Sequence, residues 1–403
     1  MKKTYIYTIK IIALLLLISI TEVISQTDTV NQKLNMDAVY DRPFLKLDKL
    51  PLAIGGYLEA NSQFSQTDGV NEGISFQARR LTLFFSSTIA DRIKFLSEIE
   101  FEDGTKEINI EFAAVDIELF PLLNIRSGIV MNPIGAFNQN HDGPKWEFVD
   151  RPLSATTIIP STLSNVGVGL FGKYYLSNWI FAYEAYLTNG FDDKIIDNEE
   201  NRTSLVAGKK NIDKFDDNFG TLPTYSGKLA IRNRKIGELG ISFLNGIYNK
   251  WQIDGVRVDN QRYLSILALD FNTTLYNRID IIGEYSKLWI NIPETYSKQY
   301  GNQQEGFYLD IIANIYKDKV LSWDNAKLNI GVRVEYVDYN IGEFIETNTE
   351  IGDEIWAIVP TISFRPVSTT VVRFNYRYQS QVDFLYNPAS KSGVIQLGIS
   401  SYF

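Results

Sequence analysis

From Ile54 to Phe403 the chain repeats one unit: a short segment of alternating apolar and polar side chains, then a connection whose length itself alternates between short and long. Period two is the pattern of a strand with one greasy face and one wet face. Segment 370–381 shows it best, with Val372, Phe374, Tyr376 and Tyr378 alternating with Arg373, Asn375, Arg377 and Gln379. The last segment, 393–403, sets Ile395, Leu397, Ile399 and Phe403 against Gln396, Gly398, Ser400 and Tyr402. There are about sixteen such segments, an even number as in single-chain bacterial membrane barrels. In segment 108–119 the phase slips, which suggests a bulge at Ala113 and Ala114.

The connections separate a membrane barrel from a soluble sandwich. Residues 88–92, 120–122, 176–178, 235–237, 275–277 and 366–369 are tight. Between them lie longer polar loops at 66–73, 132–165, 189–224, 249–262, 291–305, 339–354 and 383–392. The connection 317–326 is longer than this rule wants. Short periplasmic turns and long external loops are the habit of outer-membrane barrels, and a sandwich has no reason for it. The expected fold class is therefore all-β: a transmembrane antiparallel β-barrel of about sixteen strands. In lipid such a sheet must close on itself, because an unpaired backbone group has no water to turn to. Residues 393–403 should then pair with 54–64, the apolar face meeting lipid and Gln396 facing inward.

The remaining features agree. Lys2, Lys3 and Lys10 precede the apolar run 11–18, which is too short to span a bilayer, and Val23-Ile24-Ser25 before Gln26 suits a cleavage site. Residues 1–25 are read as a secretory signal peptide, 26–50 as a periplasmic N-terminal tail, and 51–403 as the barrel. Cleavage would remove three Lys and one Glu, taking the formal charge from -9 to -11. The chain is aromatic-rich, with 23 Tyr, 24 Phe and 6 Trp, yet its mean hydropathy is only -0.11 and it has no Cys, so no disulfide can staple it. That profile fits strands that are half lipid-facing and half water-facing. The acidic balance argues against nucleic acid as a partner.

A barrel of this size encloses an aqueous channel. The inward faces then carry Arg80, Lys94, Glu98, Arg126, Lys228, Arg232, Asp280, Glu284, Asp310, Arg333, Glu335, Arg373 and Arg377 as pore-lining groups, with Glu59, Glu100, Asp116 and Asp270 among their acidic neighbours. Acids and bases nearly balance, with a slight acidic lean. Loop 132–165 mixes charge with Phe137, Trp146, Phe148 and Leu153. That much apolar surface favours folding into the barrel as a constriction carrying Asp142, Lys145, Glu147, Asp150 and Arg151; a loop packed over the barrel mouth is the alternative.

Four stretches resemble the family of phosphate-selective porins O and P: Arg79-Arg80-Leu81, Gly128-Ile-Val-Met-Asn-Pro-Ile-Gly135, Asp150-Arg151-Pro152-Leu153 and Val166-Gly-Val-Gly-Leu-Phe-Gly172. The resemblance implies a sixteen-stranded, homotrimeric porin passing small hydrophilic solutes or ions, with anions such as phosphate among the candidates. It touches Arg79, Arg80, Asp150 and Arg151 and does not carry over phosphate selectivity, which needs a basic excess along the path. The end at Ile399, Tyr402 and Phe403 resembles the signal read by the barrel-insertion machinery; Ser401 departs from it.

Catalysis is poorly supported. His141 is the one histidine, it sits in a loop flanked by Gly and Pro, and no cysteine is available as nucleophile. No metal site and no cofactor is implied; carboxylates in 192–217 lack the pattern of a calcium loop. The expectation is a passive channel in the outer membrane of a Gram-negative-type bacterium, embedded in its lipid. The alternative is a structural or adhesive barrel with a plugged lumen and partner-binding loops.

Overall fold

The computed structural model describes residues 34–46, 51–200, 202–210, 212–296, 300–344 and 347–403. The signal-peptide reading of 1–25 lies outside them. Among the described residues, sixteen long strands form one sheet. They are β1 (Leu52–Thr67), β2 (Val70–Ala90), β3 (Ile93–Glu102), β4 (Glu107–Phe120), β5 (Leu123–Met131), β6 (Ser164–Leu176), β7 (Trp179–Thr188) and β8 (Thr224–Asn233). The second half comprises β9 (Gly237–Ile247), β10 (Tyr263–Leu275), β11 (Ile279–Ile290), β12 (Gln303–Val320), β13 (Trp323–Asp338), β14 (Glu354–Val367), β15 (Thr370–Val382) and β16 (Ser390–Tyr402). Each pairs antiparallel with its sequence neighbours, and β16 returns to β1, with Ile395 opposite Phe64 and Gln396 opposite Gln63. The barrel is closed at the register the alternation predicted.

The outer face follows from the same alternation. Along β16, Ile395, Leu397 and Ile399 are 44%, 51% and 46% exposed, whereas Gln396 is 2% exposed. The connections at the end holding Leu52 and Tyr402 are all tight; the long loops gather at the other end, together with the short connections 68–69 and 103–106.

Three local expectations need correction. The connection 66–73 is a two-residue turn: Asp68 and Gly69 both take positive φ, the type I′ geometry whose twist matches its strands, so β2 runs on from Val70. The connection 317–326 likewise tightens, because Val320 pairs with Trp323 around Leu321 at φ 52°. The bulge in β4 lies earlier than Ala113: Glu98 faces Phe112 and Ile99 faces Ile110, leaving Glu111 as the extra residue. Glu111 and Phe112 are therefore both buried, although Phe112 reads in phase with the outward Ile108 and Ile110. An inserted residue flips every later side chain to the other face.

The larger difference concerns the interior, expected to be water-filled. At the long-loop ends of β9, β10, β11, β13 and β14 the inward face is apolar: Leu244, Leu264, Ile266, Leu288, Ile290, Val337 and Ile355 are buried. They pack against Ile134, Ile158 and Leu163 from 132–163 and against Phe191, Ile195 and Leu205 from 189–223. Long loops entering a barrel need an apolar wall to fold against, and these strands supply it.

Leu397→Arg puts a charge at the middle of the outward row of β16. It should cost about 2–4 kcal/mol, read as a lower urea midpoint for the protein folded in lipid vesicles; an unchanged midpoint would mean that this face does not meet hydrocarbon.

Candidate functional site

The site is built from the inward rows of the strands, the loop between β5 and β6, and residues 34–46. Gly135 opens the loop with φ +67°, and a Cβ there would lie 2.4 Å from Glu284 Oε2. Only glycine permits that approach, which lets the backbone N–H groups of Ala136 and Phe137 donate to Glu284 on β11 at 2.7 and 3.1 Å. The loop then reaches around the ring. Gln139 donates to Glu184 on β7 at 3.0 Å, and Arg373 on β15 donates to the carbonyls of Gly143 and Phe148 at 3.1 and 2.8 Å. Glu147 takes Arg365 of β14 at 2.6 Å, Asp150 takes Gln396 of β16 at 2.6 Å, and the N–H of Leu153 donates to Glu335 on β13 at 2.9 Å.

Residues 34–46 pack against the inner wall near the tight-turn end. Leu34, Met36 and Val39 are buried. The N–H of Asn35 donates to Glu238 at 3.1 Å, Lys173 pairs with Asp37, and Tyr40 bonds both Asp116 and Arg126. Arg42 is the pivot. It holds Asp142 through Nε at 3.0 Å and Nη2 at 2.7 Å, and Glu98 through Nη2 at 2.8 Å. Asp142 also accepts from Tyr402 Oη at 2.7 Å and lies 3.2 Å from Lys145. One aspartate thus ties the N-terminal segment, the loop and the last strand. Burial alone would push its carboxyl up; Arg42 first, then Lys145 and His141, hold it well below its usual 3.8. Its share of stability is present above that ordinary value and is lost only as pH falls below the aspartate range.

Most of the predicted inward charges meet as buried pairs. Arg333 grips Asp310 with two bonds at 2.6 and 2.7 Å. Lys228 meets Asp270 at 2.6 Å, Arg232 meets Glu238 at 3.2 Å, and Arg126 meets Asp116 at 2.7 Å. Arg377 meets Glu335 at 2.7 Å, Arg373 meets Glu59 at 2.9 Å, and Arg80 bridges Glu59 and Glu102 at 3.0 and 2.9 Å. Two lie apart, near the tight-turn end: Lys94, paired with Glu118 in the open, and the exposed Asp280. In the loop, Arg151 reaches Glu100 at 3.5 Å and Asp150 reaches Arg79 at 3.4 Å. Beside Glu59, Arg151 and Arg373 remains a cavity of about 10 Å³, room for about one water.

At the terminus, Ile399 and Phe403 point outward at 46% and 50% exposure, whereas Tyr402 turns to Asp142. The sequence reading missed Arg42 and Arg365. Residues 34–46 have no strand period, but Leu34, Met36 and Val39 among polar neighbours were a usable sign of burial.

No family model matches the chain. A protein of Aquifex aeolicus (strain VF5), described as uncharacterized, is 34% identical over 351 residues, covering 81% of this chain and 76% of the relative. The chain belongs to that protein's family. Its barrel has the fold of the outer-membrane porins. The anion-selective porin from Comamonas acidovorans is similar at TM-score 0.53, with 11% identity, over 87% of this chain and 99% of that one. OmpF of Salmonella typhi, solved with daunomycin, is similar at TM-score 0.55, with 10% identity, over 90% and 100%. OprB of Pseudomonas putida is similar at TM-score 0.52, with 9% identity, over 88% and 94%.

Asp310→Asn would strand Arg333 in a buried site. The single variant should lose about 3–5 kcal/mol, whereas Asp310→Leu combined with Arg333→Leu should lose less, both read from urea midpoints. Equal losses would mean that the pair is not energetically coupled.

Proposed function

We propose that the protein is an outer-membrane channel of the porin type for passive diffusion of small hydrophilic solutes or ions. Residues 1–25 direct export, the Ile399, Tyr402 and Phe403 end is read by the insertion machinery, and the working form is a homotrimer in lipid. The solute path runs past Asp150, Arg151, Arg80, Glu98, Arg373 and the other inward charges, with loop 132–165 as its constriction. The observation that carries this reading is the loop itself: its charged groups pair with Arg79 on β2, Glu100 on β3, Arg365 on β14 and Gln396 on β16, and a cavity of about 10 Å³ remains beside Glu59 and Arg373. With these contacts in place, conduction would depend on movement of the loop and of residues 34–46, which makes the proposed channel a gated one. The near balance of acids and bases favours weak ion selectivity over a phosphate-selective path.

The filled interior also favours a second reading, a structural or adhesive barrel with partner-binding loops. Planar lipid bilayers separate the two. Purified protein should give reproducible conductance steps with a small reversal potential in a salt gradient. Arg42→Ala, which frees Asp142 and Glu98, should raise the open fraction several-fold. Silent membranes for both proteins at verified insertion would sink the channel in favour of the structural barrel, and a large reversal potential would overturn weak selectivity.

A further inference from the structure

We propose that the loop between β9 and β10 holds a site for an anionic sugar, a pyranose ring bearing phosphate or carboxylate. The site lies outside the lumen and does not depend on conduction. A cavity of about 380 Å³ opens there, lined by Trp251, Arg257, Asn260, Gln261 and Tyr263. That volume falls in the range of small-molecule sites, roughly 300–1,000 Å³. Tyr263 heads the outward row of β10, which continues through Ser265, Leu267 and Leu269, whereas its neighbour Leu264 is buried in the interior. The cavity therefore belongs to the outer surface at the long-loop end.

The loop is braced. Gln252–Ile253 and Val256–Arg257 form a two-stranded ribbon around Asp254 and Gly255, both at positive φ. The Asp259 carboxylate accepts from Arg262 at 2.8 and 3.0 Å, from Asn249 at 3.2 Å and from the N–H of Asn260 at 2.7 Å. Trp251 Nε1 donates to the carbonyl of Gly220 at 3.0 Å, which ties this loop to 189–223.

The internal bonds decide what the cavity offers. Arg257 donates through Nε to the Asp259 carbonyl at 3.1 Å and through Nη2 to Asn260 Oδ1. Arginine only donates, so this contact fixes the orientation of the Asn260 amide and leaves its Nδ2 to donate. Tyr263 Oη donates to Gln261 Oε1 at 2.8 Å. Among the described residues no carboxylate pairs with Arg257, and Asp259 is already taken up by Arg262 and Asn249. Residues 249–263 carry Lys250, Arg257 and Arg262 against Asp254 and Asp259, a cationic surplus in a chain of formal charge -9. The site thus favours an anion, and a guanidinium suits phosphate or carboxylate. Trp251 and Tyr263 have their polar ends tied elsewhere and offer carbon surface to the C–H face of a sugar ring. The Asn260 and Gln261 amides suit its hydroxyls, which a hydroxyl-free anion would not supply.

Two sources fit a site in this position: the headgroup of an outer-leaflet glycolipid and a soluble saccharide. The test is calorimetric titration of the full-length protein in detergent micelles. Glucose 6-phosphate should bind at a single site per chain. Glucose, inorganic phosphate and phenyl phosphate should each bind about tenfold or more weakly, the worth of one charge-assisted hydrogen bond. Arg257→Gln and Tyr263→Leu, each keeping the wild-type urea midpoint, should weaken glucose 6-phosphate by a similar factor. Binding that survives both substitutions lies elsewhere on the barrel and overturns the inference. So does equal affinity for inorganic phosphate or phenyl phosphate, or no binding of either glucose 6-phosphate or glucuronate. Nanodiscs containing lipid A, a phosphorylated glycolipid, then separate the sources. Loss of glucose 6-phosphate binding there supports the lipid headgroup, and undiminished binding supports a soluble sugar. A barrel silent in planar bilayers would sink the channel reading and leave these titrations to judge the site by themselves.

Discussion

Backbone pairing in hydrocarbon governs the rest of this structure. A strand that crosses lipid cannot leave N–H and C=O groups unpaired, so β16 has to find β1 and the register of that seam must suit both faces at once. A slip of one residue would turn Ile395, Leu397 and Ile399 into the interior and Gln396 into lipid. The tight turns serve the same end. Asp68-Gly69 and Tyr276-Asn277 adopt the paired positive φ that matches strand twist, so neighbouring strands stay in phase around the ring.

Closing the barrel creates an interior that must then be filled or flooded. Here it is filled in two different ways. Toward the long loops the inward faces of β9, β10, β11, β13 and β14 are apolar and pack with 132–163 and 189–223 as an ordinary core. Elsewhere the wall presents charge, and each buried charge needs a partner to offset its desolvation. Most partners are cross-strand neighbours, such as Asp310 and Arg333 on β12 and β13. Others come from segments that enter the lumen: Arg42 answers Glu98, and Glu147 answers Arg365. The pairs that make burial tolerable are also the contacts that hold the loop and residues 34–46 in place. In the proposed channel, gating and stability would therefore share residues, and Asp142 would belong to both.

Parts of the site were legible in the sequence and parts were not, for physical reasons. Inward charges such as Arg126, Lys228 and Arg333 announced themselves by alternation, because a strand shows its two faces in turn. The apolar content of loop 132–165 signalled that it would bury against something. Arg42 and Arg365 gave no such signal. Their roles depend on partners 100 and 218 positions away, and no local period encodes that. The bulge in β4 was sensed but placed two residues late, since Ala113 and Ala114 fit either face.

By itself, the sequence determined the class of the protein: period two, alternating connection lengths and an apolar row ending at Phe403 leave a closed membrane barrel as the physically consistent solution. It also determined which rows face outward, because a strand alternates its two faces at every position. What fills the barrel was decided only in three dimensions. Whether Glu98 faces water, Arg42 or His141 depends on where a distant segment comes to rest, and that is set by the summed packing and pairing of the whole interior.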